Sequence, residues 1–425
     1  MLISLEGRRR WLFSASMILL ACAYLFLTGQ EFAASVFAAR PDRASLERAV
    51  RLSPGNADYR HRLGRYFAFV AFDPQSAVAS LQSAVALNPH QARYWFDLAA
   101  ARGVAGDAGG QRDALERAVE AEPTAPDVAW EAANFFLVAG DTDRALREFR
   151  VVIENDPYLP AAALQACWRA RPDTDALLRD LVPPRPDSLL AFLSLLMSKQ
   201  ETDGTVKVWD RLLQLRQKFD AHYLFDYVRY LILARRPDAA LAAWEQAAGV
   251  LDLAAYLPSP DNLVVNGDFS LDVLNGGFDW TYQNQAGVRL LLDPSDFHTG
   301  HRSLSITFEG PGISDAGIRQ WIPVRPGSAY EFTAYYKSAE FQGAGGPQIV
   351  LRDGYTGQML ASSGPLNDAD FWKPVHAEFT TPASTNLLLL NVERLPAGSP
   401  IRGKLWLDNF ELSPKNSNSN SGDRP

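Results

Sequence analysis

AVALNP at positions 84–89 is one of four near-copies of a single phrase, beside AVRLSP at 49–54, AVEAEP at 118–123 and VVIENDP at 151–157. Their prolines, Pro54, Pro89, Pro123 and Pro157, are spaced by 35, 34 and 34 residues. Proline cannot continue a helix, so each closes one helix and opens the next unit. Ala77, Leu81 and Ala84 stand twelve, eight and five residues before Pro89, and Ala145, Phe149 and Val152 hold the same offsets before Pro157. These offsets share one helix face, with small side chains where neighbouring helices approach. A preceding helix is read from Leu63, Gly64 and Phe67, from Trp95, Leu98 and Ala99, and from Ala132, Ala133 and Phe136. Gly106-Asp107 and Gly140-Asp141, 34 residues apart, mark the turn inside each unit.

A helix–turn–helix unit of this period resembles the tetratricopeptide repeat. The likeness is strong over 41–157 and degenerate from 158 to 257. Thr205, Trp209 and Leu212 keep the second-helix spacing, and Ala240, Trp244 and Ala247 repeat it 35 residues later. Pro160 to Pro186 reads as a shortened pair broken by Arg171-Pro172-Asp173. Roughly six stacked pairs are expected over 41–257, because an isolated pair cannot bury its apolar face. The resemblance implies a protein partner in the concave groove, with Arg60, Arg65, Arg93 and Tyr94 as candidate liners. The plainer reading of such residues is a solvated face on a spacer.

Residues 11–28 form eighteen positions without a charge, long enough to cross a bilayer as a helix, and Arg8, Arg9 and Arg10 precede them. That pattern predicts a cytoplasmic segment 1–10, a single inner-membrane anchor at 11–28, and an extracytoplasmic, periplasmic bulk. A cleaved secretory signal and a lipoprotein box at Leu19-Leu20-Ala21-Cys22 are the alternatives.

The text changes after Leu257-Pro258-Ser259-Pro260. Beyond it, short alternating runs are punctuated by glycine, proline, asparagine and aspartate: Ser303–Phe308, Ile318–Val324, Tyr330–Lys337, Gln348–Arg352, Val375–Thr380, Asn386–Val392 and Lys404–Leu412. Period-two alternation at this turn density predicts an antiparallel β-sandwich over 261–413. The fold class is therefore multidomain α + β: an N-terminal transmembrane helix, a helical solenoid and a C-terminal sandwich. Alternation places Trp321 and Tyr335 on outward faces. Asp408 shares its parity with Trp406, Phe410 and Leu412 and is expected to face inward.

The order of phrases in this region adds more. NLVVNGDF at 262–269, Trp280 after Gly276-Gly277, GHRSL at 300–304, Gln320 to Val324 leading into Pro326-Gly327, and LWLDNF at 405–410 follow one another. Together they resemble the jelly-roll carbohydrate-binding modules found beside xylanases and cellulases. The resemblance implies noncatalytic binding of a polysaccharide. Sugars need flat aromatic surfaces beside hydrogen-bonding groups. The candidate contacts are Trp321 and Tyr335, with Arg319, Gln348 and Arg352 supplying polar groups. It also implies a structural calcium, for which Asp268 and Asp408 sit at the matching phrases. Ser270 stands where the family often has an acidic residue.

The 425 residues carry 41 basic and 49 acidic side chains, a net charge of −8, which disfavours nucleic-acid binding. Two cysteines and six histidines without metal spacing give no disulfide framework or zinc site. Asp279, Asp293, Glu309 and Asp353 form no evident glycosidase pair, and no nucleophile elbow or P-loop is present, so no enzymatic activity is expected. The polar tail 414–425 reads as disordered. The functional expectation is a membrane-anchored scaffold that binds glycan through its sandwich and a protein through its repeats, in polysaccharide synthesis, export or envelope assembly. The alternative is a purely structural adaptor whose sandwich has lost its sugar.

Overall fold

The computed structural model describes residues 8–343 and 345–415. Most of the segment 1–10 and of the tail 414–425 lies outside the described residues. Of the tail, Pro414 ends the last strand and the Lys415 backbone N–H donates to the Ala329 carbonyl, so these two residues are ordered.

Helix α1 (Arg8–Ala38) carries the apolar stretch ten residues beyond Thr28 without a break. It is long and apolar enough to cross a membrane. Its last turns are not linker: Ala34 and Ala38 are buried with Ala49 and Tyr59 against α2 (Arg43–Leu52) and α3 (Ala57–Phe69). The Gln30 amide donates to the Leu52 carbonyl, and the Ser53 hydroxyl donates to Glu31. The end of the apolar helix thus doubles as the first helix of the first hairpin.

Three full hairpins follow as α3 with α4 (Pro74–Leu87), α5 (Ala92–Val104) with α6 (Ala108–Ala121), and α7 (Pro126–Val138) with α8 (Thr142–Asn155). Asp42, Asn56, Asp73, Asp107 and Asp141 cap the helices they precede by accepting from first-turn backbone N–H groups. Gly106 and Gly140 take left-handed backbone (φ +80° and +79°) at the turn inside the unit, which explains their recurrence. Ala77, Leu81, Ala84, Ala145, Phe149 and Val152 are all fully buried. A side chain at Gly64 would strike Leu81, so that position stays small. The shortened pair is α9 (Pro160–Ala170) and the seven-residue α10 (Thr174–Asp180).

The chain divides into two compact units, residues 1–183 and 184–425. The last α-helix ends at Leu251 and the first strand begins at Thr281, but the second unit also holds two helix hairpins. These are α11 (Pro186–Ser198) with α12 (Thr202–Gln214) and α13 (Ala221–Leu233) with α14 (Pro237–Leu251).

The sandwich is two five-stranded antiparallel sheets. One, the A sheet, runs β1 (Thr281–Tyr282), β4 (Asp315–Pro323), β9 (Leu387–Arg394), β6 (Pro347–Asp353), β7 (Met359–Ser362). The other, the B sheet, runs β2 (Val288–Asp293), β3 (Ser303–Gly312), β10 (Pro400–Pro414), β5 (Ala329–Gln342), β8 (Lys373–Thr380). Between them Trp280, Ile306, Phe308, Ile318, Ile322, Phe332, Leu390, Leu405 and Phe410 form one core. Gln320 also points inward, and its amide exchanges two hydrogen bonds with the Val265 backbone. The sequence missed β1, β2 and β7, which lie outermost in their sheets and carry no clean alternation.

Candidate functional site

Strand β4 alternates from Ile318 onward, past an irregularity in its pairing with β9 between Asp315 and Arg319, where Gly317 takes φ +81°. Ala316, Ile318 and Ile322 enter the core, so Arg319 and Trp321 face out from the A sheet. Across the sheet, Arg319 lies opposite Asn391, which lies opposite Val350; Trp321 lies opposite Leu389, which lies opposite Arg352. Gln348 sits opposite Glu393 on the same outer face. Four of the five residues proposed as sugar contacts therefore share one surface.

They do not all remain available. Arg352 grips Glu393 with two hydrogen bonds of 2.7 Å, and that partner holds the Glu393 carboxyl below the usual range. Gln348 accepts from the Ser362 hydroxyl at 2.7 Å. Arg319 has no ion-pair or hydrogen-bond partner for its guanidinium among the described residues. Asn391 beside it donates to Glu393 and Asp315, and its Oδ1 is buried without a partner among the described residues.

Helix α13 forms a wall that sequence reasoning missed. Its residues Phe225, Asp226, Arg229, Ile232 and Leu233 face Asn275 to Gly277, Thr281 to Gln283, Arg319 and Trp321 across a cleft of about 420 Å³. The wall is fixed in place. Gly276 and Gly277 leave no room for a Cβ against Phe225 and Trp244, and Trp244 meets Phe278 edge-on at 6.1 Å. The Tyr355 hydroxyl donates to the Ile232 carbonyl at 3.1 Å while Arg235 lies over its ring. The Gly-Gly pair was the available signal, since a doubled glycine beside an aromatic phrase marks close approach of another element.

Tyr335 is a correction. It faces out as expected, but from the B sheet, so it shares no surface with Trp321. Its ring is stacked on His298 at 3.7 Å, which leaves it half-buried rather than an open platform. Trp406 also lies on that face, donating to Asp293 beneath Lys404.

The parity of Asp408 is a second correction. A bulge between Asp408 and Glu411, with Asn409 at φ +55°, breaks the alternation of β10. Leu405 and Leu407 face the core before it and Phe410 and Leu412 after it, so Asp408 turns out of the sandwich and is buried beneath the 296–300 loop. Its carboxylate accepts from the backbone N–H groups of His298 (2.7 Å), Thr299 (2.9 Å) and Asn409 (2.7 Å). Burial still pushes that carboxyl above its usual range. Among the described residues, Asp268 accepts from Ser270 alone, through its hydroxyl and backbone N–H. The Arg302 guanidinium takes the Phe269 and Ser270 carbonyls and the Asp272 carboxylate. Calcium takes six to eight oxygens; here the Asp268 and Asp408 carboxylates accept from backbone and hydroxyl donors, and Arg302 occupies the neighbouring Phe269 and Ser270 carbonyls.

Among the described residues, Glu331, His376 and Glu378 converge on the exposed face of the B sheet, where Lys415 already pairs with Glu378 at 2.5 Å. In the first unit, the groove candidates are also engaged. His61 and Asp97 form a buried pair at 2.6 Å, flanked by Arg65 and Arg93, with the Tyr94 ring tilted against His61 at 4.4 Å between centroids. Arg60 turns back to the Pro54 carbonyl.

No family model matches the chain, and no curated protein matches it. Solved structures do share its parts. A CBM4 structure is similar at 19% identity, covering 36% of this chain and 99% of its own, with a TM-score of 0.28. MamA is similar at 19% identity, covering 38% of this chain and 88% of its own, with a TM-score of 0.28. The CBM22-1 xylan-binding domain from Paenibacillus barcinonensis Xyn10C is similar at 19% identity, covering 37% and 96%, with a TM-score of 0.26. The chain joins a series of helix hairpins to a sandwich of two antiparallel sheets.

Proposed function

We propose that this protein is a membrane-anchored, extracytoplasmic scaffold that holds a polysaccharide in the cleft between α13 and the A sheet. The observation that carries the reading is Trp321, outward and half-buried on that sheet, beside an arginine left without a partner. An aromatic face beside polar groups is what a sugar ring requires. The continuous α1 supports an anchor, since its far end is a structural helix of the first hairpin. Arg8 to Arg10 before it favour a cytoplasmic start and an inner-membrane span. The hairpins of the first unit are proposed to dock a protein partner in polysaccharide synthesis, export or envelope assembly. Arg302 is proposed as the cation at the strand junction in place of calcium. Binding is proposed without catalysis: glycoside hydrolysis uses two facing carboxylates, and among the cleft-lining residues only Asp226 carries one.

The full chain in detergent micelles, run through affinity gels containing a panel of polysaccharides, tests this. Retardation by at least one glycan is expected, with Trp321→Ala reducing it about tenfold or more. Retardation by none would leave the reading of a purely structural adaptor.

A further inference from the structure

We infer that the cleft is built for an acidic polysaccharide, a chain bearing uronic-acid carboxylates, with Arg319 as the group that receives them. This rests on the glycan-binding reading above and names the class of glycan.

The argument begins with what the sandwich does with its other enclosed arginines. Arg352 is closed on Glu393, Arg302 on two carbonyls and Asp272, and the fully buried Arg394 on the carbonyls of Gly345, Gly346 and Pro400. A guanidinium withdrawn from water without an acceptor is costly, and the fold meets that cost at each of these positions. At Arg319, also half-buried, no protein acceptor closes on the fork among the described residues. Its immediate surroundings explain why it stays open. Glu393 is consumed by Arg352, and Asp315 accepts from the Asn391 amide and the Gly317 backbone N–H.

The other charges of the cleft leave the balance positive. Asp226 is paired with Arg229 one turn along α13 at 3.2 Å, so the lining carries two arginines against one carboxylate. The molecule as a whole has a charge of −8, so this local excess runs against its general character. The planar fork of arginine matches a carboxylate through two parallel hydrogen bonds, a match a neutral hydroxyl cannot make. Trp321 lies two residues along the same strand, on the same face, where a pyranose ring can rest while its carboxylate reaches Arg319. Arg229 stands on the opposite wall but is paired with Asp226, which leaves Arg319 as the open cation of the lining.

The test uses the full chain in detergent with two polyuronates, alginate and polygalacturonate, each beside its carboxyl-reduced counterpart, and with neutral xylan. Affinity is read by titration calorimetry at low and moderate salt. The native polyuronate is expected to bind about tenfold or more tightly than its reduced form, with the difference shrinking as salt rises. Arg319→Gln and Arg319→Ala are expected to erase that preference by weakening the native chain far more than the reduced one, and Arg229→Ala to weaken it less. Melting curves confirm that each variant is folded. Equal affinity for native and reduced chains, unaffected by Arg319→Gln, would overturn the inference and leave glycan binding standing, provided Trp321→Ala still abolishes it. Preference for neutral xylan over both polyuronates would overturn it likewise. Absence of binding to every chain defeats the glycan reading itself.

Discussion

Asp279 is fully buried beside Trp280, its Oδ2 accepting from the Leu274 backbone N–H while Oδ1 has no partner among the described residues. Burial pushes its carboxyl up to about 6 from the ordinary 3.8. The folded protein then keeps a proton that the unfolded chain releases, so stability falls as pH rises from about 4 to about 6 and stays reduced above that. Asp279→Asn removes the charge and keeps an acceptor for Leu274. It is expected to stabilise the second unit at neutral pH by on the order of 2 kcal/mol and to flatten the slope of melting temperature between about pH 4 and 7. A variant that melts lower at neutral pH would contradict this. Other residues show what alternation can and cannot reveal. Trp321 was legible because β4 alternates cleanly from Ile318 to Pro323, beyond its irregular start; Asp408 was misread because one left-handed residue, Asn409, resets the count in β10. The outward face of Tyr335 was also legible, but His298, which covers it, arrives from a loop 37 residues earlier in the chain. No local pattern announces such a partner.

Among elements, α1 departs furthest from its sequence reading. Its apolar run ends at Thr28, and the hydrophobic count alone gives no reason for the helix to persist. It persists because Ala34 and Ala38 present small faces to Ala49 and Tyr59, making tertiary packing rather than composition the cause. The register is that of the repeat itself, with small residues where two helices meet. Ala34→Leu forces added volume into this contact and is expected to cost about 1–3 kcal/mol. Proteolysis of the full chain in micelles should then show new cleavage between residues 29 and 42, while the apolar half stays protected. An unchanged cleavage pattern would mean that the hairpin does not depend on α1. The same logic explains why the repeat was readable from 41 onward: each phrase ends on a proline or a capped turn, signals that are local. Of the strands that escaped, β1 is two residues long and pairs with the distant β4, whereas β2 and β7 pair with their sequence neighbours β3 and β6 but carry sequences, VRLLLD and MLAS, with no polar–apolar alternation.

For the whole molecule, the decisive feature is where the chain divides. Leu257 to Pro260 marks a change of secondary structure, yet α11 to α14 belong to the unit that holds the sandwich. Trp244 shows the physical reason. By spacing it is a second-helix residue of a repeat, but the structure buries it completely against Phe225, Phe278 and the Gly276-Gly277 turn, with its indole N–H on the Tyr256 carbonyl. One side chain therefore serves the hairpin core and the loop that begins the A sheet. The consequence is that the wall of the cleft and its floor should lose stability together. Trp244→Ala opens a cavity worth about 3–5 kcal/mol at this junction. Hydrogen exchange on the full chain should show faster exchange in α13 and also in the 276–282 segment and β4. Phe149→Ala, an equally buried truncation in the first unit, should raise exchange in α7 and α8 instead. If Trp244→Ala loosened α13 and α14 while β4 kept its protection, the two would be separate bodies. The cleft would then owe its shape to something other than this shared core.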